Sequence, residues 1–268
     1  YSANCNWEIL LNDIPVYLNH APYSGFSSSL PLNYCILQSG KQDLTFKIFP
    51  MKGQSTLGKA ATFKVGLKLK KDIHNGNDFA FLFDYALPAD SIKDLPFFEY
   101  KHTFEAKVPY TLVGWSKSKN LRNMPNLEKK LLKKYDEVLN IFKTKDQNSF
   151  LRLMFNVDKE KYQAFYATPQ KIKEDYFEDI FPDESELGDI KFLPINNYKL
   201  QYYANGRVVA LENIENPDEG VIRFDAIIKK TKEPYRGFFN VRFHIPEQGT
   251  ELEAIRYQAN SYEIKYYT

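Results

Sequence analysis

Cysteine is almost missing: only Cys5 and Cys35 occur in 268 residues. Two cysteines cannot complete a tetrahedral zinc site unaided, and they form no C-x-x-C pair. An excess of one charge is also lacking. Thirty-six Lys and Arg stand against 34 Asp and Glu, a net charge of +2, without the basic surplus expected of a nucleic-acid binder. No apolar run approaches the roughly 18 residues that span a bilayer, so no transmembrane segment is expected. The four histidines, His20, His74, His102 and His244, show neither HxxxH nor HExxH spacing, which makes each a structural or surface residue. There is no G-x-S-x-G elbow, P-loop or dinucleotide fingerprint. No catalytic residue, cofactor or metal is therefore expected. No Asn is followed two positions later by Ser or Thr, so there is no N-glycosylation acceptor, which leans toward a bacterial source.

What the chain has in quantity is aromatic residues, 16%, mostly Phe and Tyr, which favour pleated half-buried surfaces. Fourteen prolines and twelve glycines punctuate many short elements. The length suits two domains, and we expect a β-sandwich over residues 1–112, a linker over 113–126 and an α+β domain over 127–268. In the first, residues 7–11 and 14–18 flank Asn12-Asp13 as a hairpin, residues 30–37 read as strand-like, and residues 44–49 alternate. Phe63, Val65, Leu67 and Leu69 alternate against Lys64, Lys68 and Lys70, the pattern of a sheet with one wet face. Asn75-Gly76-Asn77 marks a turn before residues 79–87, and residues 97–108 supply a last strand. Seven or so short strands at regular spacing indicate an antiparallel sandwich.

Residues 111–126 change to Gly, Ser, Asn and Pro, a connection. Leu127, Leu131, Tyr135, Val138 and Phe142 then recur at helical spacing. Asp146 is a cap for a second helix carrying Phe150, Leu151, Leu153 and Met154, and Thr168-Pro169 opens a third with Ile172, Tyr176 and Ile180. Residues 198–204 and 207–211 around Asn205-Gly206 predict a type I′ hairpin. Residues 221–228, 238–245, 252–257 and 262–267 complete an antiparallel sheet, and helices set before strands mean α+β.

Three clusters bear on function. Cys5 and Cys35 lie in apolar stretches. A disulfide between them would close a loop of about 30 residues, worth roughly 3–4 kcal/mol, and would imply an oxidising compartment; the other reading is two buried thiols. Ser2-Ala3-Asn4-Cys5 resembles a bacterial lipobox, with Asn where a small residue belongs. The acidic block carries Glu178, Asp179, Asp183, Glu184, Glu186 and Asp189, and within it Asp183-x-Ser185-x-Leu187-Gly188 imitates a calcium loop but fails it, since Leu187 lacks a side-chain oxygen and Pro194 stands where the bidentate Glu belongs. They form either a solvated surface or an electrostatic docking surface for a basic protein partner. The lysines between Lys117 and Lys134 have no interleaved aromatics and read as a solvated face. The chain begins at Tyr1, so an upstream segment is expected to have been removed, as a signal peptide or by trimming.

Ile9-Leu10-Leu11-Asn12-Asp13-Ile14-Pro15-Val16, followed by Leu30-Pro31-Leu32-Asn33 and Gly40-Lys41-Gln42-Asp43-Leu44, resembles the Asn-x-x-Pro-Val and Gly-x-Asn-x-Leu strand pattern of exported bacterial β-sandwich modules. Gln42 or Asp43 replaces the usual Asn. Residues 127–267, helices then a hairpin-rich sheet, resemble the NTF2-like cone fold. The pairing is similar to that of periplasmic proteins that include immunity proteins of the type VI secretion system. The resemblance implies a periplasmic, non-enzymatic protein that binds or neutralises a protein partner such as a toxin. Two alternatives stand beside it, a carbohydrate or cell-envelope binding module and an NTF2-like enzyme with an interior Asp or His.

Overall fold

The computed structural model describes residues 1–20, 25, 27–70, 78–170 and 180–263. Antiparallel sheet dominates. The N-terminal half holds β1 (Ser2–Ala3), β2 (Asn6–Leu11), β3 (Ile14–Asn19), β4 (Gly40–Phe49), β5 (Thr62–Lys70), β6 (Phe79–Ala86), the one-turn helix α1 (Ala89–Ile92) and β7 (Phe98–Ala106). They make one sheet of order β3-β2-β4-β7 and another of order β1-β5-β6. Alternation explains the arrangement. Leu44, Phe46 and Ile48 of β4 and Phe63 and Leu67 of β5 are buried, while Lys64, Lys68 and Lys70 stay exposed. Phe46 joins the two sheets, its ring 5.5 Å from Phe63 and 5.8 Å from Tyr85. Asn12 and Asp13 turn the β2–β3 hairpin at φ 53° and 63°, the positive values a tight type I′ connection needs. Residues 30–37 are not a strand. Asn33–Cys35 is a 3-10 turn, with the Cys35 N–H donating to Leu32 O at 3.0 Å. The Asn75-Gly76-Asn77 turn and His74 lie outside the described residues.

The C-terminal half contains α2 (Leu127–Thr144), α3 (Gln147–Ala164), β8 (Leu187–Phe192), β9 (Tyr198–Tyr203), β10 (Val208–Asn213), β11 (Ile222–Ile228), β12 (Pro234–His244) and β13 (Glu253–Glu263). All five residues read as one face of α2 are buried. Asp146 caps α3 by accepting the Ser149 N–H at 3.0 Å. Residues 169–170 are helical, and 171–179, with Ile172 and Tyr176, lie outside the described residues. The strands expected over 252–257 and 262–267 are joined as far as Glu263 in one strand, β13, with a bulge facing Arg242 and Phe243, and residues 264–267 lie outside the described residues.

The spine of this sheet is β12. β13 pairs along it, while β11 takes residues 234–239 and β10 takes 243 and 244. Between β10 and β12 the Tyr135 side chain of α2 enters the ladder. Its hydroxyl donates to Val241 O and accepts the Leu211 N–H at 3.1 Å. One sheet face is apolar and lies under the helices, with Val209, Leu211, Phe239, Val241 and Phe243 buried. The other is polar, with Glu212, Asn240, Arg242, His244 and Arg256 all buried.

That polar face meets the N-terminal half. Tyr203, Ala204, Val208, Ala210 and Ile255 belong to the same apolar cluster as Trp7, Leu11 and Phe46. Arg256 is 4% exposed. Its Nη1 donates to Glu160 Oε2 at 3.3 Å and its Nη2 to Tyr34 O at 2.6 Å, and the guanidinium lies 5.0 Å from the Trp115 ring. Glu160 Oε1 in turn accepts the Gly114 N–H at 2.7 Å. Residues 113–126, expected as a linker, are pinned. The Lys119 N–H donates to Ile245 O, the Leu121 N–H donates to Gly206 O, and Leu121 is fully buried.

The Asn205-Gly206 hairpin is real, but its connection is longer than expected. Tyr203 pairs with Val208, leaving a four-residue connection, 204–207, that holds the 3-10 turn Ala204–Gly206 with all three of its residues at positive φ. The cause is the other hairpin turn. Asp13 O accepts the Ala204 N–H at 3.4 Å, and Asp13 Oδ2 accepts the Asn205 N–H at 3.1 Å.

Of the two readings of the cysteines, the structure has the buried thiols and no disulfide: Cys5 and Cys35 are free and buried. The Cys5 thiol donates to Thr62 O at 3.4 Å, toward β5, whereas Cys35 ends the 3-10 turn, where Arg256 bonds its side chain. Burial pushes both thiols up to about 11, so neither is an activated nucleophile. A thiol-specific chromogenic reagent is expected to find two thiols in denaturant without reductant and almost none in the native protein. Immediate native reaction would show that one site is open.

Candidate functional site

The splay of β8, β11 and β12 away from α2 and α3 leaves a cleft of about 1180 Å³ on the apolar side of the sheet. Its walls are aromatic because the apolar stripe of each helix and the inward parity of each strand converge there. Phe142 of α2 lies 4.9 Å from Phe239 of β12, and Phe150 of α3 lies 5.8 Å from both Phe239 and Phe181. Farther along, Phe224 of β11 contacts Phe192 at 5.6 Å and Tyr235 at 6.1 Å. The floor requires a glycine. A Cβ on Gly237 would stand 2.2 Å from the Phe224 ring, so any side chain there would push Phe224 into the cleft.

One carboxyl group interrupts this lining. Asp158 of α3 is 7% exposed and accepts a hydrogen bond from the Tyr257 hydroxyl at 3.0 Å. Lys161, one turn on, places its ammonium 5.5 Å from the Tyr257 ring. Burial raises the Asp158 pKa above the ordinary carboxylate value, against the opposing pull of Tyr257 and Lys161. Such a group serves as a polar anchor for a bound molecule or as a proton carrier.

The acidic block meets this cleft at its mouth. Asp183 and Glu186 line it, together with Lys145. Glu184 pairs with Lys145 at 2.8 Å, which holds its carboxyl below the ordinary range. Asp183 is lowered by hydrogen bonds from Ser185, whose N–H donates to its Oδ1 at 2.7 Å. Asp189 is exposed on β8. Glu178 and Asp179 lie outside the described residues. The structure thus brings part of the acidic block to the rim of an apolar site, a relation the sequence reading lacks. Asp158 also escaped that reading. Its signal is a carboxylate on the face that carries Phe150, Met154 and Val157, where the helical period calls for an apolar residue.

The histidines are placed elsewhere. His20 contacts Glu8 at 3.1 Å, His102 stacks on Phe83 at 3.7 Å, and His244 pairs with Ser118 at 2.7 Å. No cluster of three or more His, Cys, Asp or Glu suited to a metal ion occurs among the described residues. No helix among them is long and apolar enough to cross a membrane. Comparison with protein families, curated proteins and solved structures finds no match. What the fold and the cleft define is a mostly antiparallel β protein with a few helices, built around an aromatic, acid-rimmed groove.

Proposed function

We propose that this chain works by binding, holding an apolar segment of a basic protein partner in the cleft. One observation carries the reading: an aromatic groove whose mouth bears Asp183 and Glu186. Aromatic walls supply affinity through desolvation, and rim carboxylates steer a basic partner and set its orientation. A two-domain chain with an NTF2-like C-terminal domain belongs to the same proposal, and the packing of α2 and α3 on one face of the C-terminal sheet supports it. Neutralisation of a toxin in the periplasm is the role that the sequence resemblance attaches to such binding.

The test uses the full chain and a library of synthetic peptides that alternate apolar residues with Lys or Arg, with acidic counterparts as controls. Basic apolar peptides are expected to bind. Asp183→Lys with Glu186→Lys is expected to slow association by about tenfold at low salt and to flatten the salt dependence. Phe192→Ser is expected to speed dissociation. Equal binding of acidic peptides, or binding untouched by both variants, would remove the cleft from the interface.

A second reading, catalysis, is favoured by Asp158, a buried carboxyl group in contact with Tyr257 at the cleft wall. It predicts turnover that Asp158→Asn abolishes while peptide binding persists.

A further inference from the structure

The polar face of the C-terminal sheet, turned away from the cleft, holds a buried cation that no carboxylate reaches. Arg242 of β12 and Arg256 of β13 stand directly opposite in the ladder, which sets their Cβ atoms about 5 Å apart. They are 3% and 4% exposed. Arg256 has acceptors in Glu160 at 3.3 Å and in the Ile255 and Tyr34 carbonyl oxygens, both at 2.6 Å. Arg242 has none. Its guanidinium lies 5.6 Å from the Tyr203 ring, and among the described residues no hydrogen bond or ion pair reaches it. The Nε of each arginine is enclosed without a partner. The carboxylates around them are committed elsewhere. Glu160 accepts from Arg256 and from the Gly114 N–H. Glu212 attracts Arg242 only from beyond ion-pair distance, and is paired with Lys199 at 3.4 Å. Glu8, which repels Glu212, is engaged by His20 and Lys47. His244, two residues along β12, adds no charge at neutral pH, because burial and then Arg256 lower its pKa to about 4. Both guanidinium charges act on the Tyr34 hydroxyl and the Cys35 thiol, so both approach the Asn33–Cys35 turn of the N-terminal half.

We propose that Arg242 and Arg256 form a binding site for a small monovalent anion, chloride or one of its size, where the two halves of the protein meet. A guanidinium withdrawn from water without acceptors is strongly unfavourable, and like charges directly opposite on a sheet repel. One anion between the pair removes both penalties. It accepts from the unpartnered N–H groups and sets a negative charge against two cations. Charge decides the valence: Arg242, Arg256 and Lys199 face Glu160 and Glu212, which leaves one positive charge over. Enclosure decides the size. Both side chains are more than nine-tenths buried, which suits an ion of one or a few atoms and shuts out a nucleotide or a peptide terminus. Bound there, the anion ties β12 and β13 to the turn that carries Tyr34 and Cys35. The proposal does not rest on the cleft.

Thermal unfolding of the full chain tests it, with sodium chloride or bromide exchanged against sodium gluconate at constant ionic strength. Gluconate is too bulky for the site, and fixed ionic strength holds general screening constant. For a site of about millimolar affinity, Tm is expected to rise by roughly 4 °C between 1 and 100 mM chloride. Arg242→Met is expected to abolish that rise. In gluconate it is expected to be at least as stable as the parent, because Met fills the volume without a buried charge. Circular dichroism checks that the variant folds. Bromide soaked into crystals of the parent protein locates the ion by anomalous scattering, a reading independent of any variant. A peak between the two guanidinium groups is expected. Three outcomes overturn the proposal. The first is no such peak. The second is a Tm no higher in chloride or bromide than in gluconate, which marks arginines that are simply hydrated. The third is a chloride-dependent rise that the folded Arg242→Met variant retains, which marks an anion bound elsewhere.

Discussion

Replacing Arg256 by Met is expected to destabilise the protein by about 3–5 kcal/mol, the usual cost of stripping one partner from a buried ion pair. Arg256 reaches the Glu160 carboxylate and the Tyr34 and Ile255 carbonyl oxygens from a position 4% exposed to solvent. Its removal leaves Glu160, itself largely enclosed, without its cation, and strands a carbonyl of the N-terminal half. Arg242 stands directly opposite across the ladder, so the change also relieves a like-charge contact. That relief is the smaller term, because Glu160 loses its ion-pair partner outright. Arg256→Lys is expected to fall between, since an ammonium cannot reproduce the fork. Adding Glu160→Gln to Arg256→Met is expected to recover part of the loss, because no charge is then left unpaired. Urea denaturation reads all three. A loss below about 1 kcal/mol for Arg256→Met would mean that water reaches the pair and screens it.

The second large effect is acid lability through His244. Burial first, and then the nearby Arg256 charge, lowers its pKa from 6.5 to about 4. The unfolded chain therefore takes up a proton at a pH where the folded protein refuses it. The stabilisation is complete above about pH 6.5 and drains away as pH falls toward 4. At about 1.4 kcal/mol per unit, the sum is about 3 kcal/mol. Asp158, Glu212 and Asp218, each raised by burial, act with the opposite sign over neighbouring pH values. The measurement is therefore the difference between the parent protein and His244→Gln, in urea unfolding at pH 7.5 and pH 4.5. The gap between them is expected to narrow in acid, and a gap independent of pH would show that His244 protonates freely in the fold.

Local rules made much of this fold legible. The α2 stripe, the Asp146 cap and the Asn12-Asp13 turn each depend on a few neighbouring residues, and the structure repeats them. Residues 30–37 failed because their apolar pattern serves a 3-10 turn packed under Arg256 rather than a strand. The Asn205-Gly206 turn failed because Asp13, far away in sequence, bonds its backbone and enlarges it. The cleft was not legible at all, for a related reason. Its walls come from α2, α3, β8, β11, β12 and β13, and no sequence period reports how a sheet splays. The acidic block was visible as charge, but its place at a rim depends on how Phe181 packs against Phe142 and Phe150.

The Tyr135 hydroxyl carries a consequence for how the protein opens. A strand amide is ordinarily freed when its neighbouring strand peels away. The Leu211 amide is held by a side chain of α2, which also donates to Val241 O on β12. Solvent gains that amide only when the helix lifts, so exchange at the centre of the sheet reports on helix undocking rather than on strand fraying. One phenol thereby couples three elements, and the Leu211 amide, in a gap of the ladder, becomes a probe of their joint opening.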